Sequence, residues 1–158
     1  MATGFFGKLP ASGDFVARGL PPGVRRAVDH WLTQVLAPYA RKPAFWPPDG
    51  LRALIIAPAG GPLALLVLPS RDTTGRAFPL AAIAPARAAG QAEIDSWADQ
   101  ALTILQTAVQ GGLDAGQLIA SLDPLPPPGA GMALMPPLIW TRASPPQDPA
   151  AFVALSCR

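Results

Sequence analysis

The sequence predicts an α+β fold in which a central β-sheet is covered on both faces by helices. Three observations carry that prediction. Leu51–Ala57 and residues 63–68 are near-continuous apolar runs of strand length, and strands without polar alternation are covered on both sides. Residues 24–37 and 92–110 each repeat apolar side chains at helical spacing, which supplies the covering layers. Finally, half of the residues are hydrophobic and the mean hydropathy is +0.29, so the chain must bury a core. At 158 residues it is long enough to do so as one domain over 1–158, without help from metal or disulfide.

The chain opens with residues 4–16, Gly4-Phe5-Phe6-Gly7-Lys8-Leu9-Pro10-Ala11-Ser12-Gly13-Asp14-Phe15-Val16. Phe5/Phe6 and Phe15/Val16 favour extended backbone, while Gly7, Pro10 and Gly13 punctuate it. Two short strands joined by a loop follow. By spacing alone, Lys8 and Asp14 are an ordinary surface ion pair, worth less than about 1 kcal/mol.

Leu20-Pro21-Pro22-Gly23 introduces the first helix, expected over residues 24–37. Val24, Val28, Trp31, Leu32, Val35 and Tyr39 make its apolar stripe, and Pro38 ends or kinks it. His30 falls on the polar face and has no second histidine to assist it, so it reads as a solvated side chain. Residues 40–50 form a turn-rich connection that Phe45 and Trp46 anchor to the core. The two apolar strands come next, joined by Pro58-Ala59-Gly60-Gly61-Pro62, then a polar loop from Ser70 to Arg76 and a third strand over residues 78–83, all in meander order. The second helix carries Ile94, Trp97, Ala98, Ala101, Leu102, Leu105 and Val109 on one side and stops at Gly111-Gly112. Asp114 with Gln117 three residues later is a capping pair for a short third helix. Beyond it lies a proline-rich part, from about residue 123, with possible short strands at residues 132–135 and Leu138–Thr141 and a terminal strand or helical turn at residues 152–155.

Several function classes are excluded or weakened. The net charge of +2 is spread along the chain without a basic stripe or interleaved aromatics, so nucleic acid is not an expected partner. One histidine and one cysteine, Cys157, cannot make a Cys/His metal site or an internal disulfide. No cofactor is expected. Residues 2–20 interrupt any secretory leader with charges and glycines, and the uncharged stretch 53–69 is cut by its own turn, so the protein is expected in the cytoplasm without a transmembrane segment. Gly7-Lys8 is followed by Leu9-Pro10 rather than Ser or Thr, which defeats a phosphate-loop reading. A serine nucleophile lacks both its elbow and a placed base. These absences argue against an enzyme. What remains is two charged loops between apolar strands, the first with Lys8 and Asp14, the second with Ser70, Arg71, Asp72, Thr73, Thr74 and Arg76. Charged loops on an apolar scaffold are where binding resides, whereas a hairpin turn needs Asp72 and Gly75 for backbone reasons alone.

Together these two stretches resemble the type VI secretion system-associated TagF (ImpM) family. The family's Gly-aromatic-aromatic-Gly-Lys-Leu-Pro-x-x-Gly-Asp-Phe-Val signature is present complete as Gly4, Phe5, Phe6, Gly7, Lys8, Leu9, Pro10, Gly13, Asp14, Phe15 and Val16, followed by Leu20-Pro21 and by Asp29, Trp31 and Leu32. Its Pro-Ser-x-Asp-x-x-Gly-Arg-x-Phe-Pro-Leu pattern appears as Pro69, Ser70, Asp72, Gly75, Arg76, Phe78, Pro79 and Leu80. Leu138-Ile139-Trp140-Thr141 with Phe152 and Leu155 is similar to a C-terminal family pattern, whereas Leu51-Arg52-Ala53 stands where the family carries Trp-Arg-Phe. The resemblance implies a mostly antiparallel sheet in an α/β/α sandwich akin to longin or profilin-like domains. It also implies a cytoplasmic, non-catalytic accessory protein that restrains the secretion machine through protein contacts, alongside a forkhead-associated scaffold protein and a kinase/phosphatase pathway. Two other readings stand beside it: a small phosphate- or ligand-binding domain or enzyme using Lys8, Asp14, Asp72 and Arg76, and a structural assembly factor of the machine.

Overall fold

A computed structural model describes residues 1–156; Cys157 and Arg158 lie outside the described residues. The first two strands, β1 (Gly4–Gly7) and β2 (Val16–Arg18), pair antiparallel with Phe6 opposite Ala17, as the opening stretch predicts. Helix α1 (Pro22–Val35) starts two residues earlier than expected because Pro22 suits a first helical turn, and it passes at Leu36 into a 3₁₀ turn (Ala37–Tyr39) that contains Pro38. Strands β3 (Leu51–Ala57), β4 (Gly61–Leu68) and β5 (Leu80–Pro85) follow in meander order. Helix α2 (Gln91–Val109) is next, then α3 (Ala115–Leu122), whose Asp114 cap accepts from the Gln117 N–H at 2.8 Å. Strand β6 (Leu138–Thr141) and helix α4 (Pro149–Ser156) end the described chain.

All six strands join one antiparallel sheet in the order β2-β1-β5-β4-β3-β6. Alternation then sorts the apolar runs between two cores. Phe6, Ala53, Ile55, Leu63, Leu65, Val67 and Ile83 face α1 and α4, where Val24, Val28 and Leu32 meet them. Phe5, Leu54, Ala64, Leu66, Ala82 and Ala84 face α2 and α3, meeting Ile94, Trp97, Ala101 and Leu105. Both faces are dry, which is why β3 and β4 carry so little polar alternation. A fully buried leucine such as Leu32 contributes about 1.5–3 kcal/mol through burial.

The connection at residues 40–50 is held as expected: Phe45 and Trp46 are buried, and the Trp46 indole N–H donates to the Tyr39 carbonyl at 2.9 Å. The proline-rich part is tied down at intervals. Trp97 donates to Thr3 Oγ1 at 3.1 Å, Thr3 donates on to the Leu125 carbonyl at 3.2 Å, and Trp140 is fully buried. Residues 132–135 do not form the short strand that the sequence suggests. Met132 and Met135 stand 88% and 84% exposed in a loop, because no strand lies beside them to pair with. Among the described residues no helix is long and apolar enough to cross a membrane.

Candidate functional site

The two charged loops meet because β1 and β5 are neighbours in the sheet, with Gly7 opposite Leu80. That register places the residue after β1, Lys8, beside the loop that precedes β5. Gly7 allows the approach: its φ is +144°, and a Cβ there would collide with the Pro79 carbonyl. Gly75 has a different need, since its φ of +82° suits glycine although nothing stands near it. Gly13 has neither need; a Cβ there would meet Thr73 Oγ1 at an ordinary 3.5 Å.

At the centre of the meeting point is Asp72, only 2% exposed. Its Oδ1 accepts from the Thr74 N–H at 3.0 Å, the Thr74 hydroxyl at 2.8 Å and the Arg76 N–H at 2.9 Å. Its Oδ2 accepts from Arg76 Nε at 2.8 Å and pairs with Lys8 Nζ at 3.2 Å. Burial alone would raise the carboxyl's pKa, but these donors, Thr74 and Arg76 foremost and then Lys8, outweigh it and hold the group well below the usual carboxylate range. Asp72 is therefore an anion whose lone pairs are filled, and it is no base near neutral pH.

The same loops are stitched by backbone. Ser70 Oγ donates to the Lys8 carbonyl at 2.7 Å, the Thr73 N–H donates to the Ser12 carbonyl at 2.9 Å, and Arg76 Nη2 donates to the Gly13 carbonyl at 2.8 Å. Aromatic rings close the outside. Lys8 Nζ lies 4.9 Å from the centre of the Phe15 ring, which packs edge-on against Phe78 at 4.8 Å and stacks with Phe6 at 5.9 Å.

The surface pair expected between Lys8 and Asp14 is thus corrected. Lys8 is buried and its partner is Asp72; Asp14 is exposed and accepts from the Phe15 N–H at 2.7 Å, turning the chain into β2. Of the sequence-selected residues, Lys8, Ser70, Asp72, Arg76, Phe6, Phe15, Phe78 and the carbonyls of Gly13 and Pro79 come together. Phe5 and Leu9 belong to the core under α2. Arg71 is exposed on the wall of a shallow hollow of about 370 Å³ with Pro69, Ser70 and Gly75. Among the described residues no three His, Cys, Asp or Glu side chains gather closely enough to hold a metal ion.

One charged residue escaped selection. Arg52, in the middle of β3, is fully buried and reaches under α2, donating to Asp95 Oδ1 at 3.1 Å and Asp99 Oδ1 at 3.0 Å. Trp140 Nε1 donates to the same Asp95 oxygen at 2.9 Å, so β3, β6 and α2 are fastened at one point. The signal was present in the sequence: a lone cation in an apolar strand, and two acids one helical turn apart on the non-apolar face of a helix.

The fold and site together define a helix-covered antiparallel-sheet domain whose β1–β5 pairing is locked by a Lys-Leu-Pro turn and an Asp-x-x-Gly-Arg loop. Residues 4–125 match the family described as TagF N-terminal domain, type VI secretion system-associated, and the chain belongs to that family. Its fold is similar to the crystal structure of PA0076 from Pseudomonas aeruginosa PAO1, with a TM-score of 0.64 at 23% identity over 98% of this chain and 76% of that one. No curated protein matches the chain in sequence.

Proposed function

We propose that this protein is a non-catalytic accessory factor of type VI secretion that restrains the machine from the cytoplasm by binding one of its components. Family membership supports the secretion context. The observation that carries the non-catalytic reading is the saturation of Asp72: Lys8, Asp72 and Arg76 are spent on one another and on the Gly13 carbonyl, which supports a fold-building role for the signature. This disfavours the phosphate- or ligand-binding alternative, for which Lys8 and Arg76 would have to be free to meet an anion. The family resemblance points to a forkhead-associated scaffold protein and its kinase/phosphatase pathway as the partners.

The reading is tested by capture and by secretion together. Purified chain is expected to retain the forkhead-associated scaffold protein in a pull-down. Raising the chain's expression is expected to lower type VI secretion while the abundance of the machine's components stays constant. Unchanged secretion, with no capture of the scaffold, would overturn it.

A further inference from the structure

The sheet has a gap at its β6 edge. Pairing between β3 and β6 ends with Leu54 opposite Leu138, and the residues next in register are Pro137 and Pro136, which have no N–H to offer. On the other side of β3, Ile56 lies opposite Pro62, whose carbonyl accepts from the Ala86 N–H at 3.0 Å and therefore points to β5. Ile56 and Pro62 thus form a non-hydrogen-bonded pair, and the N–H and C=O of Ile56 turn outward, where no strand among the described residues covers them. Natural sheet edges are blunted by lysine, proline or a bulge. Here the open position carries an isoleucine that is 62% exposed.

A groove of about 660 Å³ runs beside this edge, between β3 and the outer flank of α1, floored by Ala27, Trp31 and Ile55 and ending at Pro137. It shares Trp31 and Pro137 with a second hollow of about 470 Å³ that continues toward α4. The first groove's lining holds no acidic side chain, Asp148 standing in the second hollow, and its one charged side chain is Arg26, with His30 one helical turn on. The neighbouring Asp29 is engaged by the Thr33 hydroxyl at 3.2 Å.

We propose that this edge and groove receive an extended, acidic segment of a partner protein, which adds as a strand to the outer side of β3. Backbone pairing at Ile56 gives the segment its extended form. Alternate apolar side chains enter the groove against Trp31 and Ile55, and a carboxylate meets Arg26. Strand addition explains why an unpaired edge, an exposed isoleucine and a basic-rimmed apolar groove occur together. The assignment goes beyond the accessory-protein reading, and its test involves no secretion component, so the two can fail separately.

The test is selection of a displayed random-peptide library on the full chain, followed by amide exchange with a synthetic copy of a selected peptide. Selected sequences are expected to alternate apolar and acidic residues and to slow exchange at the Ile56 N–H. Ile56→Pro, which removes an outward-facing donor at an edge position where proline is tolerated, is expected to abolish binding. Arg26→Glu on the exposed helix face is expected to weaken it about tenfold or more, the scale of one lost charge-assisted hydrogen bond. Should Ile56→Pro fail to fold, Arg26→Glu and the exchange pattern still decide. Basic or featureless selected sequences, no selected binder, or binding without slowed exchange at Ile56 would overturn the proposal. So would a dimer that dissolves in Ile56→Pro, which would assign the edge to a second copy of the chain.

Discussion

The Asp72 cluster and the Arg52 network both bury a charge, with opposite sign and opposite relations to water. Around Asp72 the anion is the buried centre, each of its oxygens is filled, and Lys8, one of its cations, is itself only 9% exposed at the side chain. Around Arg52 the cation is the buried centre, its Nε has no partner among the described residues, and its two acids reach solvent, with side chains 26% and 41% exposed. A buried charge is costly to leave alone, whereas a half-exposed one can recover water. The first cluster should therefore fail as a unit and the second should yield gradually.

Asp72→Asn is the sharpest way to break that contrast and should have the largest effect. It removes the charge that compensates Lys8 while preserving the side chain's size, and thermal unfolding should show a greater loss than for Arg52→Met or Gly75→Ala. The same residue sets an acid limb. Because its folded pKa lies below the ordinary 3.8, its stabilisation is complete above about pH 4 and is lost as pH falls toward the folded value. Urea unfolding of the wild type should therefore weaken below that pH, and Asp72→Asn should flatten this limb while leaving the pH 5–7 plateau without slope from this residue.

Arg52→Met comes next, at about 1–3 kcal/mol in urea unfolding, since Asp95 and Asp99 regain water and Asp95 keeps its Trp140 donor. A loss equal to that of Asp72→Asn would erase the distinction drawn between the two networks. Gly75→Ala is the mildest, at about 1–2 kcal/mol, because no atom obstructs the new methyl and only the left-handed backbone resists it.

Much of the sandwich was legible because its signals are local. The paired aromatics at Phe5/Phe6 and Phe15/Val16 with the glycines between them specify the β1–β2 hairpin, and the stripe from Val24 to Leu32 specifies α1. The partner of Lys8 was not legible. Asp14 is six residues away and Asp72 is sixty-four, and only the β1–β5 pairing, a crossover that no local pattern encodes, brings the distant acid closer. The open edge at Ile56 was hidden for the same reason, since it depends on where β6 stops. Residues 132–135 misled because a short apolar run is a strand only if a neighbour stands ready to pair with it.

Lys8, Asp72 and Arg76 join the two signature loops in one ion-paired, self-saturated cluster. The most direct measurement follows the Asp72 side-chain carboxyl carbon by NMR while the folded chain is acidified, then repeats the spectrum at neutral pH with millimolar inorganic phosphate. The expected result is a carboxylate that stays ionised through the ordinary aspartate range, with Lys8 and Arg76 resonances that phosphate leaves in place. Titration of Asp72 near the usual value, or movement of Lys8 and Arg76 on adding phosphate, would contradict it.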